Sequence, residues 1–274
     1  MSDWFSNMDF ALILVPLVAV TGAIWLIDTL FFAKQRQAKH LMSLKNSINQ
    51  GQEPIIDEPW FVGFSKSLFP VFLIVLVLRS FVMEPFRIPS NSMMPTLLTG
   101  DFIVVNKFAY GIRLPVVNLK LLDIGDPQRG DVIVFRYPKN PSQNFIKRVV
   151  GLPGDHIAYL NKKVFVNNEL APQVDSGKYV GVGKGAGMTG ALLKEETLGN
   201  VTHNILVRSE SPDRSFEFDV PEGHYFVLGD NRDRSHDSRY WGAVPDQNLV
   251  GRAFMIWMNW DEGISWERIG QSIK

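Results

Sequence analysis

"EPFRIPSNSMMPTLLTGDFIVVNKFAYG", residues 84–111, is where the chain changes character. Two long apolar runs precede it, and short apolar and β-branched runs follow it. Inside it, Ser90 and Ser92 stand between Pro89 and Pro95, beside Met93 and Met94. Such a Pro-bounded segment either turns the chain or holds a hydroxyl as a nucleophile in a stiff frame.

Downstream, "DFIVVNKFAY", "GDVIVFRYP", "FIKRVVGLPGD", "KVFVNNELA", "NILVRSE" and "HYFVLGD" are separated by Gly, Pro, Asn and Asp. Many short strands with turn signals and no sustained helical period predict a mainly β fold, an all-β domain over 83–274. "DSGKYVGVGKGAGMTGALLKEE", residues 175–196, is Gly-rich and poor in core residues. It reads as a flexible excursion or hairpin arm within a variable stretch, 160–215. No internal repeat is evident. In the tail "AFMIWMNWDEGISW", strand alternation can supply both a core face and an exposed, membrane-facing edge carrying Trp257, Trp260 and Trp266.

Upstream, residues 10–33 form an apolar run long enough to cross hydrocarbon, with Asp28 as its one charge, expected at the interface. With no basic residue before it, the run reads as a retained anchor and not a cleaved leader. Residues 61–82 form a second candidate span, in which Lys66 is expected to snorkel to the headgroups. Lys34, Arg36, Lys39 and Lys45 lie between the runs, whereas the tail 1–9 has no Lys or Arg. The positive-inside rule then makes 34–60 a cytoplasmic loop and puts both termini outside.

The chain has 274 residues, 46% apolar, with a formal charge of zero and no cysteine. The charge balance argues against a nucleic-acid binder, which needs a basic excess. Without cysteine, a nucleophile must be an oxygen or an amine.

A serine can be activated by a histidine, and His40, His156, His203, His224 and His236 are the candidates. His236 has Asp237 beside it, but neighbours in a strand point opposite ways. The other possible base is a lysine whose amine is kept neutral by burial. Lys147 sits among Phe145, Ile146, Val149 and Val150, and alternation puts Phe145, Lys147 and Val149 on one face. Lys107 has a similar setting, and a lysine that merely snorkels from a half-buried strand is the plain alternative. "GDNRDRSHDSRYWG", 229–242, is a polar loop pinned by apolar flanks, able to orient groups at a site. There Ser235 could bond a lysine amine, and Asp237 and Arg239 could brace the loop.

In order along the chain, two anchors, "SNSMMPTLLTGD", "RGDVIVFRYP", "KRVVGLPGD" and "GDNRDRSHDSRYWGAVP" resemble the two-span bacterial type I signal peptidases. The resemblance covers nearly the whole chain. It implies Ser92 as nucleophile, Lys147 as general base, and Ser90 with the Ser92 N–H as the oxyanion hole. It also implies Ser235 as the residue orienting the amine, and Asp237 with Arg239 as a supporting ion pair. Phe86, Ile88, Pro89, Met93, Leu97, Phe145 and Ile146 correspond to the pockets for small residues of an A-x-A site. No metal or organic cofactor is implied. Secretory preproteins are the implied substrates, at the inner membrane, with phospholipid and the export translocon as further partners and no nucleic acid. Asn91 departs from the pattern, which usually has glycine there. A soluble self-cleaving serine-lysine protease is one rival; it would carry a DNA-binding domain that this chain lacks. A membrane-anchored envelope β-domain that binds exported proteins without cutting them is the other.

Overall fold

A long apolar segment in lipid has no water to satisfy its backbone, so only a helix pairs every peptide group internally. Both apolar runs take that form in the computed structural model, which describes residues 11–48, 58–114, 119–261 and 263–274. Helix α1 (Ala11–Ile27) continues through a π-helical turn, Asp28–Phe32, into α2 (Ala33–Ile48). Helix α3 (Trp60–Val77) continues similarly through Leu78–Val82. The stretches Ala11–Met42 and Trp60–Val82 are each long and apolar enough to cross a membrane. They belong to one compact unit, residues 1–80, and residues 81–274 form a second.

In the first unit the charges pair with each other. Asp28 is buried and receives both terminal nitrogens of Arg36 at 2.5 and 2.6 Å, with Lys66 Nζ at 3.4 Å. Lys66 also binds Glu58. The lysine expected to snorkel is therefore engaged within the helical unit, because a carboxylate removed from water needs a cation more than a headgroup does.

The second unit is built of strands. In chain order they are β1 (Met83–Arg87), β2 (Asp101–Asn106), β3 (Ile112–Arg113), β4 (Lys120–Leu122), β5 (Val132–Tyr137) and β6 (Asn140–Gly151). Next come β7 (His156–Leu160), β8 (Lys163–Val166), β9 (Glu169–Leu170), β10 (Gln173–Lys178), β11 (Leu192–Leu198) and β12 (Val201–Val207). The last are β13 (Phe216–Asp219), β14 (His224–Leu228), β15 (Val244–Pro245) and β16 (Leu249–Asn259). A seven-stranded sheet runs β1-β2-β16-β5-β6-β14-β15, and smaller sheets run β10-β11-β12, β13-β7-β8-β9 and β3-β4. The mainly β expectation holds.

One turn device recurs at the strand starts. In Leu98-Thr-Gly-Asp101, Gln128-Arg-Gly-Asp131 and Leu152-Pro-Gly-Asp155 the aspartate N–H donates to the first residue's carbonyl at 3.0–3.1 Å. Its carboxylate in turn accepts the first residue's N–H, at 2.7, 3.0 and 2.6 Å respectively. The third position needs φ near +96°, +96° and +83°, which glycine adopts without a steric penalty. A charge-assisted bond of this kind contributes about 1.5–3 kcal/mol.

Strand β16 does supply a buried and an exposed side, but two register shifts, at Ala253/Met255 and Ile256/Met258, break the simple alternation: Ala253, Ile256 and Asn259, three apart, are buried while Phe254 and Trp257 are exposed. The Gly-rich segment takes the hairpin form of the two expected, and it is packed down at its tip. β10 and β11 form a hairpin, but Met188 and Ala191 near its tip are buried in one cluster with Met94 and Leu206. Small residues let the backbone lie close against the methionine, so low side-chain volume here serves packing.

Candidate active site

Lys147 lies in the inner half of β6, paired with Ile133 of β5 in the central sheet. It is 4% exposed. Phe145 on the same strand presents its ring to the amine, 5.6 Å from the ring centre, and stacks on Tyr137 at 4.4 Å. Lys147 Nζ lies 2.7 Å from Ser92 Oγ and donates to the Ile146 carbonyl at 2.7 Å. Burial pushes the amine down to about 8, against the fields of Asp237 and Asp230, which favour the charged form.

Those two carboxylates are already paired. Asp237 takes Arg239 Nε at 2.8 Å and Nη2 at 2.9 Å, and accepts the Gly229 N–H at 3.1 Å. Asp230 takes Arg148 Nε at 2.8 Å and Nη2 at 2.7 Å, with Thr96 Oγ1 at 2.5 Å. Desolvation of the buried amine outweighs both carboxylate fields.

Ser92 opens the turn 92–96 that comes after β1 and is buried, whereas Ser90 is exposed, its Oγ 3.4 Å from Ser92 Oγ. Asn231 holds the segment from below: its N–H donates to the Ser92 carbonyl at 3.1 Å and its Nδ2 to the Asn91 carbonyl at 2.9 Å. Ser235 Oγ is buried without a hydrogen-bond partner, so it makes no hydrogen bond with the Lys147 amine. It packs over Gly229, since a Cβ there would lie 2.2 Å from Ser235 Oγ and 2.4 Å from the Ser92 carbonyl oxygen.

Of the proposed pocket residues, Ile88, Met93, Leu97 and Ile146 share one apolar cluster, and Phe86 packs against it. Phe145 packs in the neighbouring cluster, and Pro89 is exposed. Met93 and Leu97 have no exposed surface, so they can form only the floor of a pocket. Lys107, the alternative base, pairs with Glu84 at 3.1 Å.

The histidines of the second unit are engaged elsewhere: His156 with Asp219 at 2.6 Å, His224 with the Glu222 carbonyl, His236 with Tyr137 at 3.4 Å. His203 is buried 3.5 Å from Glu196, and burial lowers it to about 4. Among the described residues no histidine shares a hydrogen bond with Ser92. The sequence reading missed Asn231, Gly229 and the Arg148–Asp230 pair; the repeated Gly-Asp dipeptide in "TGD", "RGD", "PGD" and "LGD" was the available signal.

The family described as "Signal peptidase, peptidase S26" matches residues 61–260. This chain belongs to that family. Signal peptidase I of Pseudomonas aeruginosa is 49% identical over 277 residues, covering 93% of this chain and 94% of that protein. Signal peptidase I of Pseudomonas fluorescens is 48% identical, with the same coverage of 93% and 94%. A crystal structure of a signal peptidase I from Enterococcus faecalis is 33% identical, covering 47% of this chain and 98% of that one, with a TM-score of 0.31. Within the family, the chain is a serine endopeptidase by class.

Gly229→Ala places a methyl where Ser235 Oγ and the Ser92 carbonyl now lie. A displacement of about 1 Å at a nucleophile costs about 10²-fold in rate. The variant is expected to lose about that factor in kcat on a preprotein, and an unchanged kcat would show that the close approach is unimportant.

Proposed function

We propose that this chain removes signal peptides from exported preproteins with Ser92 as nucleophile and Lys147 as general base. The observation that carries the assignment is the amine 2.7 Å from the hydroxyl, in surroundings that hold it near neutrality at about 8. A neutral amine takes the Ser92 proton as Oγ attacks the scissile carbonyl. The lysinium gives that proton to the leaving amine as the peptide bond breaks. Water then attacks the acyl-enzyme, its proton passes to Lys147, and Ser92 leaves with a proton returned from the lysinium.

Ser90 Oγ and the Ser92 N–H are assigned to the oxyanion. The unspent Ser235 hydroxyl is assigned to the amine once it carries the proton, and the Asp237–Arg239 pair braces that loop. The cluster of Ile88, Met93, Leu97 and Ile146 with Phe86 is assigned as an apolar floor under the small residues of an A-x-A site, and Phe145 and Pro89 are assigned to the same pockets.

We assign residues 11–33 of the helix Ala11–Met42 and residues 61–82 of the helix Trp60–Val82 to membrane spans, with residues 34–60 inside and residues 83–274 outside. Residues 49–57 of that loop and the tail 1–10 lie outside the described residues. Ser92 follows Val82, the end of the second span, by ten positions in the chain. A substrate whose apolar leader is in the same bilayer is thereby confined with the enzyme, which raises its effective concentration. Phospholipid of the inner membrane and the export translocon are the partners this arrangement suits.

Ser92→Ala and Lys147→Met are each expected to lower kcat on a preprotein by about 10⁴ or more while the domain keeps its thermal transition. Cleavage by either at the parent rate refutes the dyad. Because the base must be neutral, activity in the parent should climb about tenfold per pH unit and level off above about 8. A rate flat from acid to neutral pH contradicts that role.

Topology is testable because the chain has no cysteine. Ser215→Cys is expected to react with an impermeant maleimide in intact spheroplasts, and Lys39→Cys only after the membrane is opened. The reverse pattern inverts the orientation.

A further inference from the structure

Asn91 lies between the two serines, and its side chain is spent away from both. Its Nδ2 donates to the Lys184 carbonyl at 3.1 Å, and its Oδ1 accepts from Thr99 Oγ1 at 2.5 Å. Lys184 belongs to the turn Gly183–Met188, at the tip of the β10–β11 hairpin. That turn is held from its other side by Asp261, which accepts the Lys184 N–H at 2.9 Å and lies 3.1 Å from its ammonium. Its far end, Met188, packs with Met94 in one buried cluster.

The backbone at Asn91 is ordinary. The non-glycine residues with positive φ are Asn161, Lys162, Asn167 and Asn168 among those described, so the amide side chain is not there to tolerate a left-handed turn. What distinguishes Asn91 is reach: it spans from the nucleophile loop to a segment 93 positions away.

We infer that Asn91 is a positioning residue that ties the nucleophile loop to the Gly-rich turn, so that this turn sets the orientation of Ser90 and of the Ser92 peptide N–H. Ser90 is exposed and its hydroxyl approaches Ser92 Oγ at 3.4 Å, a long contact, so its direction depends on the backbone beside it. The peptide joining Asn91 to Ser92 carries the N–H assigned to the oxyanion. Asn231 holds that peptide's carbonyl, and the Asn91 side chain fixes its flank. Glycine would keep the Asn231 bond and lose both side-chain ties. Donor geometry matters at this point because loss of one oxyanion donor costs about 10²–10³ in kcat.

The inference rests on the Ser92–Lys147 reading. The test uses the full chain in detergent and a preprotein substrate. Asn91→Ala is expected to lower kcat by about fivefold or more, with KM changed by less than about twofold, since the reacting geometry and not the apolar floor is disturbed. Asn91→Asp keeps an acceptor for Thr99 but sets a carboxylate oxygen against the Lys184 carbonyl, and should fall as far as Asn91→Ala. Asp261→Ala releases the same turn, so the double variant with Asn91→Ala should be within about twofold of the worse single variant. Asn91→Ala at less than a fivefold loss, Asn91→Asp at the parent kcat, or fully additive losses in the double variant would each overturn the proposal. Ser92→Ala in the same assay separates the two readings: cleavage by it removes the dyad, whereas silence from it beside a parent-like Asn91→Ala removes only the positioning role.

Discussion

The structure turns on the burial of one amine. A lysine in water holds its proton to a pKa of about 10.4 and is useless as a base near neutrality. Removing Lys147 from water penalises the charged form and brings it down to about 8. This requires that nearby carboxylates not restore the charge, and here both are spent: Asp237 on Arg239 and Asp230 on Arg148. An unpaired carboxylate in either place would favour the charged form of the amine. Breaking such a buried pair also destabilises a fold by about 3–5 kcal/mol, so the arginines serve electrostatics and stability together.

Desolvation works only if the hydroxyl is held within reach of the amine. The sheet supplies Lys147 from a central strand, where register fixes its height. The nucleophile loop is irregular and must be fixed by other means. Its Leu98–Asp101 turn is locked by the aspartate of the recurring device, and Asp101 is in turn gripped by Arg268 and Asn259. Asn231 takes the carbonyls of Asn91 and Ser92, and Gly229 lets the second loop approach without a side chain between them. The Gly-rich hairpin closes the other side through Met188 and Lys184.

The strands were legible because β-branched runs alternate with Gly, Asn and Asp, and the helices because of their length and apolarity. Lys147 was conspicuous as a lone ammonium in an apolar run. A preference over Lys107 was not legible in the run itself, since both have the same local pattern; what distinguishes them is the partner, Glu84 for Lys107 and Ser92 for Lys147, and the proposal rests on that difference. The packing of residues 175–196 was illegible for a physical reason. Glycines carry no hydrophobic signal, and their value lies in letting Met94 and Met188 approach. The pairing of Asp28 and Lys66 was hidden because it joins residues 38 positions apart, beyond any periodicity.

The most direct measurement is an NMR titration of the Lys147 side chain in the full detergent-solubilised chain, following ¹³Cε and assigned through Lys147→Arg. A transition near pH 8 is expected. A transition at the ordinary lysine value of about 10.4 would mean that burial does not neutralise the amine, and Lys147 could not serve as the base.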